Sequence, residues 1–369
     1  MNVLLISMGE YFGGIEKVEL DWVKNITHNI KFDFLTPNNE PFKKYNNEIK
    51  NLNANWYNFN LSRNSFKNKI VYAKKLYKFL KKNKYEIVHI NSSVFLFSFQ
   101  VVLIAKMCNV EKIIVHSHSV PENNVLKKFL IKILNPIYTH FANYYLACSK
   151  QASTALFTKK FLSKNKVQIL KNGIDVEKFK FNEELRNTFI KKLNLNNKTV
   201  YGHVGAFEKV KNHEFLIEIF YEIQKIESNS ILLLIGEGSL QEKIKNKVIE
   251  LGLKEKVLFL SYREDIEKIL NTIDIFIFPS LHEGLGTVLI EAQTNGIPVF
   301  CSKGIPIEAK ISNNFQYFNL NEKSYNIAQK ICNVEISGIE RRKEAYIDTI
   351  KKGYDIKDVC KELKKIYLD

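Results

Sequence analysis

The chain has 369 residues, of which 45% are hydrophobic and 25% charged, with a formal net charge of +16. That length exceeds one ordinary core and suits two domains, and the composition is globular, which excludes disordered and fibrous classes. Five scattered cysteines with no CxxC pair argue against a disulfide framework or a zinc site and read as reduced cytosolic thiols.

The charge is unevenly placed. Residues 1–180 hold 28 Lys and Arg against 12 Asp and Glu, whereas residues 181–369 hold 27 of each. The first half is therefore expected to meet something anionic: a membrane surface, a phosphate-bearing acceptor or nucleic acid. The start, Met-Asn-Val-Leu-Leu-Ile-Ser, lacks the basic n-region and small-residue cleavage site of a signal peptide. The longest apolar stretch, Val94–Ala105, is about twelve residues, short of the roughly 18–20 that a membrane span needs. The expectation is a soluble or membrane-associated protein, not an inserted one.

In chain order, Asn2–Met8 is an apolar run that suits a buried parallel strand. After Gly13-Gly14 a helix is expected, with Ile15, Val18, Trp22 and Ile26 on one face. Strand candidates follow at Phe32–Leu35, Ile87–Ile90, Ile113–Val115 and Tyr145–Ala147, with amphipathic segments such as Phe66–Lys82 and Asn124–Leu134 between them. The pattern pauses near Lys171–Lys180 and restarts with strands at Thr199–Val204, Ser230–Ile235, Val257–Leu260, Ile273–Phe278 and Pro298–Cys301. A terminal helix covers Tyr354–Leu368. Alternating strands and helices predict α/β architecture with two Rossmann-like parallel-sheet units. The expected domains are 1–175, 176–350 and a closing helical segment 351–369, with ligands at the carboxyl ends of the strands, in a cleft that the two sheets face.

The stretch Pro279-Ser280-Leu281-His282-Glu283-Gly284-Leu285-Gly286-Thr287-Val288-Leu289-Ile290-Glu291-Ala292 leads from an apolar strand through a glycine loop into a helix. Backbone amides and the positive dipole end at such a helix start suit a diphosphate. Glu291 on the helix can accept hydrogen bonds from both ribose hydroxyls, and Glu283 on the loop would sit by the sugar. The stretch resembles the retaining GT-B glycosyltransferases of family 4, the group 1 transferases, whose mark is two glutamates separated by seven residues. Glu283 and Glu291 have that separation, and Ala-Gln-Thr-Asn-Gly-Ile-Pro follows as in the family.

The resemblance extends over nearly the whole chain and implies a set of site residues. Glu283 and His118 would be catalytic, with His116 the second choice for the histidine. Gly14, Lys211, Gly284, Leu285, Gly286, Thr287, Val288 and Glu291 would bind the donor. Gly13, Glu16, Lys209, Gly236, Gly238 and Arg263 would lie close by. The family keeps Gly-Arg before its lysine, but here Gly205 is followed by Ala206, so Lys211 acts alone or with Lys209. His89 ends a strand on the same side as His116 and His118, while Cys148-Ser149-Lys150 and Asn172-Gly173-Ile174-Asp175 read as scaffold.

The implied activity is transfer of a sugar, with retention, from a nucleotide-sugar, by resemblance a UDP-sugar, to a saccharide or polyprenyl-diphosphate-linked acceptor in cell-surface polysaccharide biosynthesis. No Asp-x-Asp motif occurs, so no divalent metal or other cofactor is expected. The expected setting is the cytoplasm, with a peripheral position on the inner face of the membrane open to the basic first half. Nucleic acid is not expected, since the charge sits on helices without interleaved stacking motifs. Two rivals stand: a nucleotide-sugar epimerase of GT-B-like fold, and a non-catalytic nucleotide-sugar-binding subunit.

Overall fold

The computed structural model describes residues 1–8, 13–26, 29–38, 42–61, 66–92, 94–118 and 125–369, except the side chains of residues 44, 66–67 and 125–127. The chain divides into two compact units, Met1–Gly173 with Ile356–Asp369, and Ile174–Asp355.

The first unit is built on β1 (Asn2–Ser7), β2 (Lys31–Thr36), β3 (Asn55–Asn58), β4 (Ile87–Asn91), β5 (Lys112–Ser117), β6 (Tyr144–Ala147) and β7 (Val167–Ile169). These strands form one parallel sheet in the order β3-β2-β1-β4-β5-β6-β7. The central strands read as unbroken apolar runs because both faces of the sheet are covered. Two apolar layers do this. One includes Val3, Leu5, Trp22 and Phe34; the other includes Leu4, Ile6, Leu76 and Val101.

The terminal helix Ile356–Leu368 belongs to this unit and buries Val359, Leu363, Ile366 and Tyr367 in the first layer. Lys112 Nζ holds its last turn by donating to the carbonyls of Ile366 and Tyr367. A cation on exposed helix carbonyls is favourable for the dipole as well as for the hydrogen bonds.

The second unit carries β8 (Thr199–Val204), β9 (Ser230–Ile235), β10 (Val257–Leu260), β11 (Ile275–Phe278), β12 (Val299–Ser302) and β13 (Phe315–Phe318). They form a parallel sheet in the order β10-β9-β8-β11-β12-β13. Each sheet reverses its winding once, between β1 and β4 in the first unit and between β8 and β11 in the second. Connections leave such a point in opposite directions and open a crevice at the strand carboxyl ends.

The helix expected over Asn124–Leu134 spans Val125–Phe141 and contains Pro136, so the proline does not end it. Three strands lie outside the expected set, β3, β7 and β13, and all three are sheet edges.

The terminal helix should be integral to the first unit. Leu363 is fully buried, so Leu363→Ala is expected to cost about 2–5 kcal/mol. Denaturant unfolding followed by far-UV circular dichroism checks this; an unchanged midpoint would show that the helix docks loosely.

Candidate active site

In the second unit the site grows from the two loops at the winding reversal. After β11 the chain runs through Pro279 and the fully buried Ser280 to Gly286, which caps the helix Thr287–Thr294 in a left-handed conformation, φ 81° and ψ 61°. Only glycine adopts that backbone without strain. Gly284, Leu285 and Glu291 are buried, while Thr287 and Val288 of the first turn are half-buried. No acidic or basic residue occupies that first turn, so no side-chain charge within it offsets the positive dipole end, an arrangement that favours an anion.

The loop after β8 lies against this one. Leu281 N–H donates to Val210 O at 2.8 Å, and Asn212 Nδ2 to Pro279 O at 3.3 Å. From the other side, Ser302 Oγ donates to Ser280 O. The consequence is a direct meeting of two sequence-assigned residues: Lys211 Nζ donates to Glu283 Oε1 at 2.6 Å. The pair is shielded, with 20% and 15% of its side chains exposed. Lys211 Nζ also lies 5.1 Å from the centre of the Phe278 ring. Lys209 and Ala206 are both exposed.

Gly236 and Gly238 do structural work here. A Cβ on Gly236 would lie 2.3 Å from Gly205 O, and one on Gly238 would lie 2.6 Å from Phe207 N. The absence of side chains lets the loop after β9 press on residues 205–207, where Phe207 N–H donates to Glu237 O at 3.0 Å. Arg263 makes a bidentate pair with Asp265, both contacts 2.8 Å. Hydrogen bonds from that guanidinium hold the Asp265 carboxyl below its usual range. Arg263 is thus engaged by its neighbour.

The first unit brings a second group together. Ser7, Asn91 and His116 are register partners across β1, β4 and β5 at the reversal. His89, His116 and His118 cluster there, fully or almost fully buried. Trp22 stacks on His89 at 5.3 Å and on His116 at 5.6 Å, and the His116 and His118 ring centres are 4.0 Å apart. Two hydrogen-bonded chains run through the cluster. Tyr367 OH meets His89 Nδ1 at 2.8 Å, and His89 Nε2 meets His116 Nδ1 at 3.3 Å. Separately, Glu19 Oε1 accepts from Asn91 Nδ2 at 2.7 Å, and Asn91 Oδ1 meets His118 Nε2 at 3.0 Å. Burial pushes all three imidazoles toward the neutral form, His118 down to about 3.

At the start of the first helix, Glu16 is buried and its Oε2 accepts from Gly13 N–H at 3.1 Å. Gly14 is exposed, and a Cβ there would meet nothing within 4 Å. Ser149 and Asp175 serve as helix N-caps, accepting from Ala152 N–H and Lys178 N–H.

Sequence reasoning missed Glu19, Trp22, Asn91 and Tyr367 as partners of the histidines. One signal was available. Glu19 precedes Trp22 by a single helical turn on the core-facing side, and a carboxyl there has no packing purpose.

Comparison with known proteins bears on the family and the fold. Residues 186–347 match the family Glycosyl transferases group 1, and residues 12–178 match Glycosyltransferase Family 4. Fold and family matches together support a glycosyltransferase of GT-B architecture. The chain is 27% identical over 307 residues to the UDP-Gal:alpha-D-GlcNAc-diphosphoundecaprenol alpha-1,3-galactosyltransferase of Escherichia coli, covering 74% of this chain and 78% of that protein. It is 25% identical over 365 residues to the capsular polysaccharide biosynthesis glycosyltransferase CapH of Staphylococcus aureus, covering 96% and 95%. The crystal structure of HepE from Anabaena in complex with UDP superposes with a TM-score of 0.79 at 17% identity, covering 100% of this chain and 99% of that one. That last likeness concerns the fold.

Proposed function

We propose that the protein transfers a sugar from a UDP-sugar to a lipid-linked saccharide with retention of configuration, during assembly of a cell-surface polysaccharide. The observation that carries the reading is the Lys211–Glu283 pair beside the glycine turn that opens the Thr287 helix. It sets a cation next to a ready anion site, which is what a departing nucleoside diphosphate needs. The galactosyltransferase named above acts with UDP-Gal and a diphosphoundecaprenol-linked sugar, and this supports the choice of donor and acceptor class.

In the proposed reaction an acceptor hydroxyl attacks the anomeric carbon as that carbon's bond to the diphosphate breaks. The hydroxyl proton passes to the departing phosphate oxygen on the same face. Lys211 and the amides of the first helical turn neutralise the negative charge that develops there. Glu291 accepts hydrogen bonds from the pentose hydroxyls, and Glu283 turns to the sugar once the diphosphate has taken over Lys211. His118 contacts the sugar or the acceptor from the first unit.

We place the enzyme in the cytoplasm, resting on the inner membrane face. Support comes from the helix Val125–Phe141, where Phe129, Ile133 and Ile137 are 58%, 53% and 44% exposed along one stripe. Lys128 and Lys132 flank it, and an apolar stripe edged by lysines suits anionic lipid. No helix among the described residues is long and apolar enough to cross a membrane. On the same helix Leu130 is half-buried, and the side chain of Leu126 lies outside the described residues.

One observation favours a rival. Ala206 leaves its exposed position without a guanidinium, which fits a subunit that binds donor without turning it over.

The following outcomes are expected. In calorimetry with UDP, Lys211→Met weakens binding about 10- to 100-fold, the loss of one charge-assisted hydrogen bond. Glu283→Gln tightens it, because the competitor for Lys211 is gone; weaker binding in this variant would mean that the diphosphate sits elsewhere. Transfer proceeds in excess EDTA, and a strict need for Mn²⁺ or Mg²⁺ would overturn the metal-free mechanism, whereas donor binding with no transfer or hydrolysis would establish the subunit reading. The protein co-sediments with anionic vesicles at low salt and Phe129→Asp releases it; no binding at low salt rejects the membrane assignment.

A further inference from the structure

The cluster beneath Trp22 holds a carboxyl whose presence packing does not explain. Glu19 is completely buried, and a leucine in that place would fill space without the desolvation cost of a carboxyl group. What the carboxyl supplies is orientation. An asparagine amide offers two hydrogens on one side and an acceptor oxygen on the other. Because Glu19 Oε1 takes a hydrogen from Asn91 Nδ2 at 2.7 Å, the Asn91 oxygen is turned to His118 Nε2 at 3.0 Å. An amide oxygen only accepts, so Nε2 must carry the ring's hydrogen.

The surroundings favour a chain that is neutral throughout. Burial and the neighbouring Glu16 raise the Glu19 carboxyl well above its usual range, and a carboxylic acid still accepts through its carbonyl oxygen. The other titratable groups packed on the cluster are His89, His116 and Tyr367. Burial holds the two histidines neutral and raises the tyrosine hydroxyl well above its usual range. Asn172 reaches the His118 ring as well.

We propose that Glu19 and Asn91 are positioning residues that hold His118 as its Nε2–H tautomer, leaving Nδ1 as the acceptor atom of the ring. Glu19 pins the Asn91 amide, and the amide pins the ring. The consequence for transfer rests on the reading of His118 as a residue that contacts the sugar or acceptor; the tautomer itself does not.

The test is nitrogen NMR of the protein labelled at histidine, with the His118 ring assigned by its loss in His118→Gln. The wild-type ring is expected as neutral Nε2–H across roughly pH 6 to 8. Glu19→Gln, which also offers a neutral acceptor oxygen, keeps that tautomer, whereas Asn91→Leu gives a mixture. Asn91→Asp places a carboxylate on Nε2 and raises the ring's titration into the range observed. An unchanged ring in Asn91→Leu overturns the proposal, and so does a wild-type Nδ1–H ring, which relies on no variant that might misfold. Turnover forms the second arm. Asn91→Leu lowers kcat about a hundredfold with UDP affinity unchanged, and Glu19→Gln keeps the wild-type rate. A shifted tautomer with unchanged turnover would leave the positioning intact and remove His118 from the reaction.

Discussion

The single reversal of winding in each sheet is the constraint on which the rest depends. In a parallel sheet every connection leaves from the same edge, so neighbouring loops normally crowd one another. Where the order reverses, at β1–β4 and β8–β11, the departing chains diverge and leave room for a ligand. The chemistry-bearing residues of both units sit there. In the second unit Lys211 follows β8 and Glu283 follows β11; in the first, Asn91 ends β4 and His116 lies on β5 beside it. Side chains more than 70 positions apart in sequence meet because β8 pairs with β11, as in the Lys211–Glu283 contact.

The two units solve opposite electrostatic problems. In the proposed reaction the second binds a diphosphate, and it brings a lysine on one loop to a helix start with no charged residue in its first turn. Glu283 balances Lys211 when no anion is present, and a shielded pair of this kind holds its partners in place more than it adds to stability. The first unit buries imidazoles, a carboxyl and a phenol together, and pushes the groups toward their uncharged forms. Neutral groups cost far less to bury than ions, and their hydrogen-bond directions survive burial. In the proposed reaction one unit acts through charge and the other through orientation.

Much of this was legible in the sequence, and the exceptions share a physical cause. Interior parallel strands announce themselves as apolar runs because both faces are covered; β8 and β9 match their expected bounds to the residue, as does the apolar edge strand β10. The strands that escaped notice, Asn55–Asn58, Val167–Ile169 and Phe315–Phe318, are all edges, short and partly exposed, and so carry polar residues that break the run. The Lys211–Glu283 contact needed two loops to be placed in space, although each loop was recognisable by its glycines. Arg263 is expected from the sequence only to lie close by, and its side chain is held by Asp265 two residues away. A short-range partner of that kind is invisible to motif reasoning, which follows residue types and not side-chain directions.

The glycines sharpen the distinction between scaffold and site. Gly236 and Gly238 have an internal reason to lack side chains, since a Cβ on either would strike backbone of residues 205–207. Gly14 has none: its surroundings are open, it opens a helix, and an alanine there would suit the helix better. Within the proposed reaction, a glycine that the fold itself does not require is read as leaving the backbone of this helix start open to a phosphate or sugar. Gly236 and Gly238 belong to the frame of the second unit, which sets residues 205–207 on the loop that leads to Lys211.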